Sequence, residues 1–461
     1  MAGPATELVS PGDVVRSGLC IGCGGCVSRE PKARMSWDEY GQLKPQGPDD
    51  WYGGRTETFS RQCPFSPSAP NEDVIAREQF PHSAESDLRI GRFEEAYVGH
   101  AIEYPFRDNG SSGGLVSWVA AELLRNGVVD GVAHVSPADP STGALFRYGI
   151  SRNLEQLGGG AKSRYYPIEL ADVLREIRAT PGRYAIVGVP CFIKAVHLLR
   201  RQDPLLQERV THTLGLFCGH MKSAAFVQSF AWQLGTQMKR VQEVDYRIKD
   251  AGRPANWYRA HLTLDDGSTA AQDWWHLVDG DWGAGFFQNS ACDFCDDVVG
   301  ETADIAFGDA WVEPYSSDGR GTNVVIARTP EMQALLRAGI ADGRLQLTTV
   351  GADFIAQTQA AGLRHRREGL AYRLAWMPPK LPIRKRVAPS RSGIALRRKL
   401  VYRMRAWISA TSHRAAWLAR RTGRPWLYTR WGKASLTVYQ ALTYSRGKLG
   451  ALIDRALAPT P

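Results

Sequence analysis

Cys20-Ile21-Gly22-Cys23-Gly24-Gly25-Cys26, with a lone Cys63-Pro64 further along, is the stretch on which the reading of this chain turns. Three thiols at Cys-x2-Cys-x2-Cys spacing can reach three corners of one 4Fe-4S cube, and a distant Cys-Pro supplies the fourth. The glycines between them tolerate positive φ and let backbone N–H groups turn toward sulfur. Zinc is the competing reading, but zinc sites usually present two Cys-x2-Cys knuckles rather than a tripod. The spacing predicts that Cys20, Cys23, Cys26 and Cys63 ligate a cluster in a ferredoxin-like N-terminal segment, residues 1–85.

Outward from that segment the pattern changes. Residues 90–330 alternate strand and helix signals, which predicts a mixed α/β domain. A helix is expected over 115–124, closed by Asn126-Gly127, and a second over 168–178. Strands are expected over 184–189, 211–217, 303–307 and 324–327, with Ser223 capping a helix and a hairpin turning at Asp266-Gly267. A helical continuation covers 331–383, and 384–461 forms an α-rich basic extension.

The other four cysteines are Cys191, Cys218, Cys292 and Cys295. The first two each follow a predicted strand, where parallel sheets place functional loops. The last two form a Cys-x2-Cys knuckle. Spacing alone leaves the readings open: a second cluster, a redox pair or half a zinc site for the knuckle, and ordinary core for the two cysteines after strands.

The order of motifs narrows this. NGSSGG (109–114), VGVPCFIK (187–194), FCGHMKS (217–223), CDFC (292–295) and DIAFGDAW (304–311), with the cysteine tripod, resemble the beta subunit family of coenzyme F(420)-reducing hydrogenases and dehydrogenases, which includes the 7-hydroxymethyl chlorophyll a reductases. The resemblance spans residues 15–330. It implies FAD and two 4Fe-4S clusters, with the second cysteine set as ligands. The chain departs from the family at Cys218-Gly219-His220, where many members read Cys-His-Gly, so no role is carried over to His220.

Two segments suit a flavin. Arg107, Ser111, Ser112, Gly113 and Gly114 open the 115–124 helix, whose N-terminus favours a phosphate; a polar turn is the plain alternative. Lys162, Arg164 and Tyr165, after a run of three glycines, offer cations and a ring for a pyrophosphate and a stacked base; a solvated surface loop is the alternative there. No Ser/His/Asp constellation points to hydrolysis, no general acid stands out, and His220 reads as an ordinary satisfied polar residue.

The net charge of +10 conceals an asymmetry. Residues 384–461 hold 18 Lys/Arg against one acid, Asp454, while the preceding 383 residues carry a net −7. The basicity thus belongs to a C-terminal appendage. Its tryptophans and tyrosines suit the headgroup zone of an anionic membrane at the inner face; nucleic acid is the weaker candidate, and a solvated helical extension the plain one. Eight cysteines without a secretory leader fit a reducing cytosol. The function expected is an iron–sulfur flavoprotein oxidoreductase linking a ferredoxin-like carrier to a small two-electron substrate. A non-catalytic relay subunit and a zinc-stabilised scaffold are the rivals.

Overall fold

Tyr184–Gly188 is buried at every position, as a strand covered on both faces must be. The computed structural model, which describes residues 7–139 and 142–457, makes it an interior strand of an eight-stranded sheet. The order is Leu345–Val350, Glu95–Ala101, Asn323–Ala327, Ile305–Asp309, Val210–Leu216, Tyr184–Gly188, Gly131–Pro137, Phe146–Ser151. The run from Ile305–Asp309 to Gly131–Pro137 is parallel, and both flanks are antiparallel. Val187 pairs with Leu214, and Leu214 with Ile305.

Alternation along the central strand divides two cores. Ala185 and Val187 pack with Trp118, Val119 and Leu123 of helix Leu115–Arg125 and with Leu336 of helix Pro330–Ala341. Tyr184 and Ile186 face the other way, onto Leu174 and Ile177 of helix Ala171–Ala179 and Phe192 and Val196 of helix Pro190–Arg200. The cysteine loops gather on this second face. A separate antiparallel sheet, Val241–Ile248, Arg259–Leu264 and Thr269–Asp273, carries the expected hairpin.

Several expectations are corrected. The helix expected from residue 168 begins at Ala171, because the Leu170 N–H is committed to the Cys23 carbonyl at 2.9 Å. Ser223 caps nothing: helix Ala225–Gln233 starts after Ala224, and the Ser223 N–H goes to Phe287 O at 3.0 Å. The segment 331–383 is not wholly helical, since Leu345–Val350 forms one edge of the large sheet.

Nor is residue 384 onward an appendage. Helices Leu396–Thr422 and Trp426–Tyr444 share a core with Phe226, Phe230, Phe286 and Phe287 through Val401, Ile408, Ala416, Ala419, Tyr428, Tyr439 and Leu442. Val401, Ile408, Ala416 and Ala419 fall on one face of the first helix and Tyr428, Tyr439 and Leu442 on one face of the second, so most of the cations are left on the outer faces. Trp407, Trp426 and Tyr444 are half-exposed, whereas Tyr428 and Tyr439 are buried. Among the described residues no helix is long and apolar enough to cross a membrane.

Candidate functional site

The tripod loop turns on Gly22 and Gly24, with φ of +79° and +76°. A Cβ on Gly22 would lie 2.6 Å from the Leu43 carbonyl oxygen, and one on Gly24 2.2 Å from Glu169 Oε2. The loop is tied down from outside by Lys44 Nζ, which donates to Cys20 O at 2.7 Å. Cys63 reaches the same place as the C-cap of helix Glu57–Gln62. All four cysteines line one cavity together with Val14, Leu19 and Phe59. Burial pushes the Cys23 thiol up to about 12 and raises Cys26 and Cys63 as well, the neighbouring sulfurs adding to the effect. Four thiols converging on one desolvated cavity are a donor set that suits a cluster.

The second set assembles from three elements. Cys191 sits in the first turn of helix Pro190–Arg200, Cys218 follows strand Val210–Leu216, and Cys292 and Cys295 lie in and just after the short helix Ser290–Phe294. Burial raises Cys191, then the sulfurs of Cys295, Cys218 and Cys292 raise it further. Burial likewise lifts Cys218, and Cys292 to about 12. The Met221 N–H donates to Cys292 Sγ at 3.3 Å, the kind of bond that tunes a bound cluster. Among the described residues no three His, Cys, Asp or Glu side chains draw in tightly enough for a single ion.

The two sets are neighbours, for Cys23 contributes to the raised pKa of Cys191. Tyr148 lies against both, with its hydroxyl donating to Val187 O at 2.8 Å. Arg366, missed in the sequence, is buried beside the second set and donates to Cys292 O at 3.2 Å and to Gly219 O. Burial works against its charge, but the four sulfurs hold its pKa above the ordinary guanidinium value. Lys385 and Arg386 bind the Asp296 carboxylate at 3.3 and 3.4 Å, anchoring the loop after Cys295.

The two flavin candidate segments meet, since the Ser163 N–H donates to Ser111 Oγ at 2.8 Å. Their cations are engaged: Arg107 with Asp318 at 2.8 Å, Lys162 with Asp245 at 3.0 Å, and Arg164 with Val244 O at 3.3 Å. Ser112 donates to Thr322 O at 3.1 Å. Gly113 and Gly114 bring the chain close to Asn323 and Phe106, where a Cβ would lie at 2.8 and 2.4 Å. Lys249, another residue no sequence motif marked, donates to Ser112 O at 2.7 Å and to Arg107 O. Burial, with the charges of Arg107 and Lys162, pulls it down to about 7. Tyr165 lies in an aromatic cluster, 4.8 Å from Trp282 and 5.7 Å from Trp274 between ring centres. The cradle's small side chains and Lys249 suit an anion held mostly by backbone.

His220 differs from expectation. It is buried and stacked on Trp282 at 4.3 Å, and its Nε2 has no partner. Burial and the charge of Lys222 drive its pKa well down, so it is neutral.

Comparison with known proteins gives a consistent family. The N-terminal pattern of the coenzyme F(420) hydrogenase/dehydrogenase beta subunit matches residues 96–175, and its C-terminal pattern matches residues 182–353. A coenzyme F(420)-dependent sulfite reductase of Methanocaldococcus jannaschii is 24% identical over 342 residues, 71% of this chain and 47% of that protein. The chain thus spans about half the length of this curated relative. A chain of the F(420)-reducing NiFe hydrogenase complex of Methanosarcina barkeri shares the fold, with a TM-score of 0.50 and 16% identity over 66% of this chain and 99% of its own.

Proposed function

The chain belongs to the coenzyme F(420) hydrogenase/dehydrogenase beta subunit family, and on that premise we propose that it is an iron–sulfur flavoprotein oxidoreductase. One observation carries this reading: eight cysteines in two groups of four, with Cys191 close both to the rest of its own group and to Cys23, and six of the eight in or against the core on one face of the sheet. In it, Cys20, Cys23, Cys26 and Cys63 hold one 4Fe-4S cluster, and Cys191, Cys218, Cys292 and Cys295 hold a second. The loop 107–114, with Lys162, Arg164, Tyr165 and Lys249, holds FAD. Clusters pass single electrons and flavin exchanges pairs with organic substrates, so the pair links a ferredoxin-like carrier to a two-electron substrate.

The chain's own part is positioning and tuning. Desolvation around both thiol sets excludes water and lowers the local dielectric, which strengthens every charge near them. Lys249 and the Ser111–Gly114 backbone orient an anion. The relay-subunit rival keeps the thiols and lacks the flavin; the zinc scaffold lacks both iron and flavin.

Anaerobic purification, with iron, sulfide, zinc and flavin measured per chain, tests the proposal. About eight iron, about eight sulfide and about one flavin are expected. Iron without flavin leaves the relay, and zinc without iron ends the redox reading.

A further inference from the structure

Beyond the second cysteine set lies an open-sided cavity of about 350 Å³, walled by Tyr258, Trp274, Trp275, Trp282, Tyr444 and Arg446. We propose that this cavity is the substrate site, that it takes a small aromatic acid of one or two rings, and that the C-terminal helices set its specificity through Arg446. The inference builds on the oxidoreductase reading above and names the substrate class that reading leaves open.

The walls argue for a ring. Flat aromatic faces pack best against another flat face, and Trp274 and Trp282 are themselves nearly parallel at 6.2 Å. The volume lies at the low end of small-molecule sites, about 300–1,000 Å³. It has room for one or two fused rings and not for a dinucleotide.

The polar group at the cavity edge argues for a negative charge. Arg446 forms no ion pair among the described residues; its guanidinium lies 5.7 Å over the Tyr444 ring, at the cavity edge. A guanidinium at the mouth of an aromatic slot suits a carboxylate. Asp281, the acid in the lining, is already engaged by the Gly283 N–H at 2.9 Å.

The place of the cavity argues for substrate. Trp282 is both a wall and the stacking partner of His220, two residues beyond Cys218. Gly219 leaves so little room that a Cβ there would lie 2.4 Å from Trp282 Nε1. Tyr444 and Arg446 lie beyond the residues 96–353 that the family patterns reach, so this part of the wall is supplied by the chain's own extension.

Calorimetric titration of the full chain with 2-naphthoate and its neutral analogue 2-naphthamide tests this. The acid is expected to bind roughly tenfold more tightly than the amide, the effect of one charge-assisted bond. Arg446→Gln should abolish the preference without changing amide affinity, and Trp275→Ala, at a half-exposed position, should weaken both. Equal affinities, a preference that survives in Arg446→Gln, or no binding of either probe each overturns the proposal. Iron and flavin contents on the same samples separate the two readings. Cofactor-free protein that binds the acid selectively supports the pocket and defeats the oxidoreductase; loaded protein that binds neither probe defeats the pocket alone.

Discussion

Arg366 Nη1 donates to the Cys292 carbonyl at 3.2 Å, which sets a guanidinium only 2% exposed against the loop carrying half of the second cysteine set. The tripod has a buried cation near it as well, Lys194, whose charge acts on Cys63 from an ion pair with Glu72 at 3.1 Å, whereas Lys44 reaches the Cys20 carbonyl and Gln42 Oε1 from a partly exposed position. In the proposed reading Arg366 therefore favours the reduced form of the second cluster. A unit charge at roughly 6 Å, with an effective dielectric of about 20, contributes about 3 kcal/mol, or on the order of 100 mV for one electron. Arg366→Gln is expected to lower one cluster midpoint by that order and leave the other in place. An EPR-monitored redox titration that finds both midpoints unmoved removes the argument.

Gly22→Ala should cost one cluster and not the other. The residue sits at φ +79°, which costs about 1–2 kcal/mol with a Cβ, and the new methyl would meet the Leu43 carbonyl oxygen at 2.6 Å. That oxygen belongs to the hairpin Arg34–Trp37/Leu43–Gln46 and cannot swing aside. Iron per chain is expected to fall by about half. Gly127→Ala is the control: φ is +62°, nothing lies within 4 Å of its Cβ, and iron content should hold.

These two residues also show what a sequence discloses. The thiols and glycines of 20–26 are legible because ligand spacing and turn chemistry are local. The central strand 184–189 is legible because an uninterrupted apolar run is local too. Arg366 is not: a buried arginine beside sulfur looks, in sequence, like any cation on an exposed helix. Lys249 is hidden for the same reason, as its partners Arg107 and Ser112 are more than a hundred residues away. The extension 384–461 misleads because charge dominates its composition, while the inward stripe of Val401, Ile408, Ala416 and Ala419 is visible only once a partner surface exists.

That docking makes its own prediction. Tyr428 donates its hydroxyl to buried Asp279 at 2.9 Å, and Gln233 holds the other carboxylate oxygen at 3.1 Å. Tyr428→Phe leaves an acceptor short of a donor, at about 1–3 kcal/mol. Tyr428→Ala adds a cavity, for about 3–5 kcal/mol. Urea unfolding under argon should rank wild type, Phe and Ala in that order. Equal midpoints would mean that the helix Trp426–Tyr444 contributes nothing to the core.

His413 gives the fold an acid limit. It joins helix Leu396–Thr422 to the cysteine segment, with Nδ1 2.9 Å from Ser409 O and Nε2 3.4 Å from Gln42 Nε2. Burial first, and then the charges of Lys44 and Lys222, pull its pKa down to about 4. Burial moves His197 the same way, to about 3. In the unfolded chain a histidine titrates near the ordinary 6.5. As pH falls below that value the unfolded state takes up a proton that the folded state refuses, so stability declines from about pH 6.5 down to about pH 4 and then levels for this group. The loss from His413 is on the order of 3 kcal/mol. His413→Gln should flatten that part of the curve. Because acid also strips clusters, the quantity to read is the difference in urea midpoint between variant and wild type at each pH. It should shift in the variant's favour from pH 7.5 to pH 5, and a constant difference would show that His413 protonates freely in the folded protein.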